Sequence, residues 1–203
     1  MKRFRFTFLA ICMLLTWLGI SDLVLQLRNP EPLAIELKDL SAGQPQQEWL
    51  SIRGGHLDLL KGINMSGTIE IDSFLIPLVE NRSIEQPRLW VETRQPAIID
   101  LLTTYYFKLD DDQKRASYLA ENRNQFFPET TVTGMTADNL IADANRGKLL
   151  ELLTSMGIKT GDDILFISEG KEPNRLRGPA FLLLSIIGLF KFVFWSKNSA
   201  GQK

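Results

Sequence analysis

A single histidine and a single cysteine limit the chemistry that this sequence can carry. They are His56 and Cys12, whereas zinc and haem sites built from side chains need several such ligands. The sequence contains no G-x-S-x-G elbow, no phosphate-binding loop and no G-x-G-x-x-G fingerprint. His56 follows Gly54-Gly55, which indicates a turn, and as the only histidine it is the candidate general base. We therefore predict no metal site, no cofactor and no assigned catalytic residue.

Two runs of aspartate are the other candidates for a cation site. Asp110 to Asp112 and Asp162-Asp163 are consecutive, whereas calcium loops space their ligands as D-x-D-x-D around a glycine. Acidic residues directly before a helix cap its first turn and interact favourably with its dipole. We interpret both runs as solvated helix starts.

An apolar segment near the end of the sequence is the first element that any site would depend on. Eleven of the 17 residues from 179 to 195 are Leu, Ile, Val or Phe; as a helix they extend about 26 Å, the short end of what crosses a bilayer. Pro179 suits the first helical position and Trp195 suits the membrane interface. The Lys191 stem can carry its ammonium group to the headgroups. The pattern predicts a transmembrane helix over 179–195 rather than a buried core helix.

The first residues of the sequence repeat this pattern. Basic residues within 1–5 precede the apolar residues 6–27, as in a secretory signal peptide or a transmembrane anchor. No small-residue cleavage site follows Gly19, and apolar residues continue to Leu27 if Asp22 is tolerated. We predict an uncleaved signal anchor over 6–27, with a cleaved signal as the alternative.

The distribution of charge predicts how two such helices are oriented. The chain has 23 Lys and Arg against 24 Asp and Glu, and residues 28–177 hold 17 of the basic residues and 23 of the acidic ones. An excess of Lys and Arg marks the cytoplasmic side of a membrane, so residues 1–5 and 196–203 are predicted to be cytoplasmic tails. A domain without cysteine is unusual for a small eukaryotic secreted protein and unremarkable for a periplasmic domain of this size. The predicted location is the bacterial inner membrane, with a periplasmic central domain. The six basic residues outside 28–177 are Lys2, Arg3, Arg5, Lys191, Lys197 and Lys203.

Four residues of the predicted helices are candidates for contacts with a partner. Asp22 and Lys191 are charges in apolar segments, a costly placement that usually serves a function. In this topology they differ in depth by roughly 15–20 Å, so they are not expected to pair with each other. Ser185 and Gly188 are small enough for a partner helix to approach closely.

Residues 33–169 are predicted to form one domain between the two helices. Alternating and apolar runs predict strands near 33–37, 48–60, 67–79, 88–94, 129–135 and 162–170, with a break at Gly54-Gly55 and with Pro77 ending its strand or lying at an edge. Helices are predicted from Pro96 and over 110–127. A third follows the stripe Leu149, Leu152, Leu153 and Met156, capped by Gly157. The predicted fold is thus an extracytoplasmic α+β domain with an antiparallel or mixed sheet, flanked by two single-helix anchors.

Two functions of different classes fit these predictions. The first is a non-enzymatic accessory, assembly or scaffold protein whose outer domain docks on another membrane or periplasmic protein; short tethers over 28–32 and 170–179 hold that domain near the bilayer. The alternative is a hydrolase at the membrane surface, which requires a deep pocket with perturbed carboxylates near His56 or the acidic helix start. The acidic domain argues against nucleic acid as a partner. The accessory function is the one we predict.

Overall fold

A computed structural model describes residues 2–42, 45–65, 71–136, 143–158 and 164–200, with side chains over 6–40, 45–65, 71–136, 147–158 and 164–193. The chain divides into two compact units, one of Met1–Pro30 with Pro173–Lys203 and one of Glu31–Glu172. The helices of the described residues are α1 (Lys2–Arg28), α2 (Pro96–Thr103), α3 (Asp112–Glu121), α4 (Asp143–Ser155) and α5 (Arg177–Ala200). The strands are β1 (Leu33–Glu36), β2 (Trp49–Leu57), β3 (Ile63–Asn64), β4 (Phe74–Val79), β5 (Leu89–Thr93), β6 (Glu129–Thr136) and β7 (Leu165–Glu169).

The first unit is a pair of helices that run antiparallel. Thr16 of α1 lies against Ser185 of α5, and Asp22 lies against Arg177. Within the described residues, α1 is the helix that is long and apolar enough to cross a membrane, over Phe6–Arg28. This confirms an N-terminal apolar helix, which is compatible with a signal anchor or a transmembrane helix. The second predicted span, 179–195, lies within α5 and stays a prediction.

In the second unit, five strands close into a ring. β2 pairs with β6, β6 with β7, β7 with β5, β5 with β4, and β4 again with β2. The β5–β7 pair is parallel and the other four are antiparallel; β1 adds to β2 in parallel and β3 adds to β4. α2 and α3 connect β5 to β6. This connectivity is that of the OB-fold, a five-stranded Greek-key barrel, and it confirms the prediction of an α+β domain with a mixed sheet.

Two apolar clusters explain why the central strands are buried on both faces. Ile76, Val91 and Ile167 point into the main core, which Leu102 of α2 and Phe126 also enter. The alternate residues on the same strands point into a second cluster, because successive side chains of a strand face opposite sides. That second cluster joins β4, β5 and β7 to α4 through Leu75, Trp90, Phe166 and Leu153.

Gly54-Gly55 is a bulge within one continuous strand, so the predicted break and the predicted turn at His56 are wrong. Gly54 has φ +74°, a conformation that favours glycine, and the β2–β6 register shifts between Ile52 and Gly55. A bulge increases local twist and bends the strand. That bend lets β2 pair with β1 and β6 near its start, and with β6 and β4 at its end.

Pro77 lies inside β4, where neither predicted alternative holds. Pro77 pairs with Trp90 of β5. On the opposite side of the strand, the Pro77 carbonyl oxygen accepts a hydrogen bond from the Asp58 amide (3.0 Å). β3 pairs with β4 at Phe74 and Leu75, and β2 pairs with it at Leu78 and Val79. The proline, which has no N–H, therefore occupies the gap between two neighbouring strands, where no ladder bond is lost.

Candidate docking cleft

The predicted contact residue Asp22 is paired within its own helical unit. Arg177 donates two hydrogen bonds to its carboxylate, from Nε and Nη2, each 2.7 Å long. This bidentate geometry is the strong form of an Arg–carboxylate pair. Asp22 is 13 % exposed and Arg177 is 54 % exposed, so the pair is open to solvent or headgroups on the arginine side.

Ser185 and Gly188 allow close approach of a helix, and the helix that approaches them here is α1 of the same chain. The Thr16 and Ser185 hydroxyls lie 2.6 Å apart, and each is 2.9 Å from the Cys12 carbonyl oxygen, to which either can donate. A Cβ on Gly188 would lie 2.6 Å from Cys12 Sγ. Contact of these residues with a separate partner helix stays a prediction, as it does for Lys191, whose side chain is exposed on α5.

His56 is held in a stack of side chains. Its ring lies 4.7 Å from the Phe127 ring at an interplanar angle of 8°, and the Arg82 guanidinium lies 4.6 Å from the centre of the same ring. Its Nδ1 is buried without a hydrogen-bond partner among the described residues. The stack packs one face of the His56 ring, and a role of His56 as a general base stays a prediction.

The interpretation of Asp110 to Asp112 as a helix start is confirmed. Asp111 is the N-cap of α3, and its carboxylate accepts a hydrogen bond from the Gln113 amide (3.0 Å). Among the described residues, no three His, Cys, Asp or Glu side chains are grouped as metal ligands. Asp162-Asp163 lies outside the described residues.

A polar group at the ends of β5 and β7 is the arrangement nearest to hydrolase chemistry. Ser168 donates a hydrogen bond to Glu92 Oε2 (2.7 Å) and accepts one from Lys171 Nζ (3.2 Å). Burial raises the pKa of Glu92, but the hydrogen bonds from Ser168 and Arg94 and the charge of Lys171 outweigh it and hold the pKa below its ordinary value. A carboxylate with a lowered pKa is a weak base for activating serine. The Ser168–Glu92 hydrogen bond joins β7 to β5 beside their paired residues.

Two of the three large apolar residues that the described part of the domain exposes line one cleft. Leu60, Phe107 and Met156 are 37 %, 56 % and 55 % exposed, and they are the large hydrophobic residues classed as exposed in the described part of Glu31–Glu172. Leu60 and Met156 line a cleft of about 630 Å³. Phe107 is not one of the lining residues; it follows Tyr106, which lines the cleft, and the two ring centres lie 6.5 Å apart. These exposed apolar side chains make this cleft the candidate surface for contact with another molecule.

Several elements of the barrel build the walls of this cleft. Leu60 comes from the segment after β2, Ile63 from β3, Trp90 from β5, Tyr106 from the turn after α2, and Met156 and Ile158 from the residues that follow α4. Gln86 and Pro87 of the β4–β5 loop complete it. Met156 was predicted on the buried stripe of α4, and that part of the prediction is wrong. Leu153, by contrast, is buried and confirms the remainder of the stripe.

Tyr106 fixes the geometry of one wall. Its hydroxyl donates to the Leu60 carbonyl oxygen (2.7 Å), which ties the turn after α2 to the segment after β2. Burial, with the negative charges of ionised Tyr105 and of Asp58, raises its pKa to about 12. Tyr106 therefore remains a neutral hydrogen-bond donor across the physiological pH range.

A second cleft of about 440 Å³ lies on the other side of the β4–β5 loop, and it shares Gln86 and Pro87 with the first. Its apolar lining includes Leu37, Val79 and Leu89. These side chains are buried or half-buried.

Comparison with known proteins gave no match: no family model, no curated protein and no solved structure matches the chain.

Proposed function

We propose that this chain is a membrane-anchored accessory or assembly protein whose domain docks on another membrane or periplasmic protein and does not itself catalyse a reaction. The observation that carries the proposal is the exposure of Leu60 and Met156 in the cleft of about 630 Å³, with exposed Phe107 next to the lining residue Tyr106. In OB-folds, ligands bind on the face of the second and third strands and in the loops that join strands one and two and strands four and five. In this barrel β4 and β5 are the second and third strands, and the cleft takes Trp90 from β5, Leu60 from the β2–β4 connection and Met156 from the β6–β7 connection. This analogy supports the cleft as a binding surface at the level of fold alone.

The second membrane span belongs to this proposal, and the surface of α5 supports it. The exposed residues Leu183, Leu184, Ile187 and Phe190 are each more than half exposed, as are Met13 and Trp17 of α1. Packing the two helices on each other therefore leaves an outer surface that remains apolar. Water solvates such a surface poorly, whereas a bilayer does so well.

The helical pair also satisfies its own polar groups, which favours docking through the domain. Asp22 is neutralised by Arg177, and the Thr16 and Ser185 hydroxyls bond within the pair. A partner helix would find few unmet hydrogen bonds on this pair, and hydrogen bonds are one of the forces that join helices in membranes. We place both tails in the cytoplasm and the domain in the periplasm of a bacterial inner membrane, as the charge distribution predicts.

Photo-crosslinking in intact cells tests the docking proposal. A photoreactive amino acid is placed at Met156 or Phe107, with Ser117 on the exposed surface of α3 as the matched control. We expect the same higher-mass adduct from both cleft positions and none from Ser117. If the cleft positions give no adduct, or if Ser117 gives an equal one, the cleft is not the docking surface.

A further inference from the structure

The backbone register of the helical pair brings the basic residues of both tails to one end. Cys12 faces Gly188, Thr16 faces Ser185 and Asp22 faces Arg177, so facing residues have numbers that add to about 200. Continued along the two helices, this register sets Arg3 level with Lys197, since α1 begins at Lys2 and α5 extends to Ala200. Lys191 lies six residues nearer the middle of the pair, about 9 Å along the axis.

This end of the pair carries positive charge without acidic residues. Residues 1–21 and 173–203 contain no Asp or Glu, so the sequence at this end of the pair has a net positive charge from Lys2, Arg3, Arg5, Lys191 and Lys197. Lys191 has an exposed side chain and lies among exposed apolar residues, since Ile187, Phe190 and Val193 are each at least half exposed. An exposed ammonium group on an apolar surface lowers its free energy by reaching an anion at the membrane interface.

From this arrangement we infer that the basic end of the helical pair, defined here as Lys2, Arg3, Arg5, Lys191 and Lys197, binds anionic phospholipid. The headgroup phosphate lies near the Lys191 ammonium group at this end of the pair, and the acyl chains lie along the apolar surface of α5. This inference rests on the proposed second span, because Lys191 meets headgroups only if α5 crosses the bilayer.

Charge complementarity favours a lipid with a net negative headgroup over a zwitterionic one. Each Lys or Arg near an anionic surface contributes about the same increment of attraction, equivalent to roughly a fivefold change in binding. The apolar surface beside the cations suits two acyl chains, which an acidic soluble protein does not supply. Phosphatidylglycerol supplies both the negative headgroup and the two acyl chains.

The test uses the full chain in mild detergent with equal amounts of phosphatidylglycerol and phosphatidylcholine, and native mass spectrometry counts the bound lipids. We expect phosphatidylglycerol to be retained preferentially. Lys191→Gln should lower its retention about fivefold and Lys191→Gln with Lys197→Gln about 25-fold, from the increment per cation. Lys114→Gln on the exposed surface of α3, which removes an equal charge outside the pair, should leave retention unchanged.

A C-terminal tag, tested for accessibility in whole cells, separates failure of the site from failure of the span. An inaccessible tag with equal retention of the two lipids, or with unchanged retention in Lys191→Gln, would overturn the lipid site and leave the second span standing. An accessible tag would overturn the second span and the lipid site with it. Salt-sensitive capture of an acidic cytoplasmic protein, with no lipid preference, would also overturn the lipid site.

Discussion

Glu92 lies at the end of β5, where neighbouring groups stabilise its negative charge. Ser168 and Arg94 donate hydrogen bonds to it, and Lys171 Nζ lies 3.9 Å from its carboxylate. Together these outweigh the effect of burial, so its pKa in the folded protein lies below the ordinary value of 4.5. A carboxyl group with a depressed folded pKa contributes stability above its unfolded pKa and loses that contribution as the pH falls through the folded pKa.

Replacing Ser168 with alanine should therefore destabilise the protein in a pH-dependent way. Above about pH 5 we expect Ser168→Ala to lower the free energy of unfolding by up to about 1 kcal/mol, a small value because Glu92 is partly exposed. The difference from the unchanged protein should shrink as the pH falls below 4.5, since protonated Glu92 no longer needs the donor. Urea unfolding, followed by tryptophan fluorescence, measures the free energy of unfolding of the variant and of the unchanged protein at each pH.

Ser155→Ala is the matched control for this prediction. The Ser155 hydroxyl donates to the neutral carbonyl oxygen of Leu152 (2.7 Å), so its removal should cost the same at every pH. A Ser168→Ala effect that is equally independent of pH would show that Glu92 does not depend on this hydrogen bond.

Met156 provides a prediction in which binding and stability separate. Its side chain is 55 % exposed beside the cleft, so Met156→Asp should change the free energy of unfolding by no more than about 0.5 kcal/mol. A charge in an apolar contact should nevertheless abolish the adduct formed by a photoreactive residue at position 107. Ser117→Asp, which adds the same charge to α3, should leave that adduct in place. Loss of the adduct in both variants would contradict a specific role for the cleft.

At the scale of the elements, the sequence predicts most strands and helices because their patterns are local. β1 alternates half-buried and exposed residues, as Leu33 and Ile35 predict. β4 is buried at every position, as its uninterrupted apolar residues indicate. Pro96 starts α2, and Leu101 and Leu102 are buried where the helical pattern puts them. Each of these patterns depends only on which face of a single element is buried, so the sequence alone is enough to predict it.

The errors occur where a second element decides the outcome. Gly54-Gly55 indicates a break in isolation, but two flanking strands hold β2 together through the bulge. Pro77 is tolerated inside β4 because the ends of β2 and β3 leave a gap beside it. Met156 follows the apolar stripe of α4, yet that helix contacts the barrel through Leu153 and leaves its end at the cleft. These contacts involve residues far apart in sequence, so no local pattern could reveal them.

Gly134 gives a prediction at this scale because it marks the closest approach of two strands. A Cβ at this position of β6 would overlap the backbone carbonyl of Ser168 in β7, and neither strand can shift without disturbing the ring. We expect Gly134→Ala to lower the free energy of unfolding by about 1–3 kcal/mol, the usual cost of overpacking.

Gly147→Ala is the control, since a Cβ there meets no atom within 4 Å and the residue lies inside α4. Alanine in a helix should stabilise the protein by about 0.5–1 kcal/mol. Urea unfolding of the two variants should thus move the midpoint in opposite directions. A neutral Gly134→Ala variant would mean that β6 and β7 do not approach as closely as the structure shows.

At the scale of the whole molecule, the sequence predicts the kind of segments more readily than their contacts. Two apolar segments and an intervening mixed domain follow from composition, whereas barrel closure depends on β2 meeting β4 at its last residues. The candidate cleft draws on four separate parts of the chain, and its apolar residues are the same types that fill a core. Only their exposure in the folded domain distinguishes them.

The register of the two terminal helices gives the last prediction, and Cys12 makes it simple to test because it is the only cysteine. A Cβ at position 188 would lie 2.6 Å from Cys12 Sγ, so a shift of a few tenths of an ångström reaches the separation of about 3 Å that the S–S bond length implies. We expect Gly188→Cys to form a disulfide with Cys12 when membranes are treated with a mild oxidant, and counting free thiols after denaturation should then give none. Leu184→Cys is the control, because that side chain is 55 % exposed on the outer surface of α5, and it should retain both thiols. Equal oxidation of the two variants, or none in Gly188→Cys, would show that α1 and α5 do not pair in this register, and the arrangement of the basic end that depends on it would fail as well.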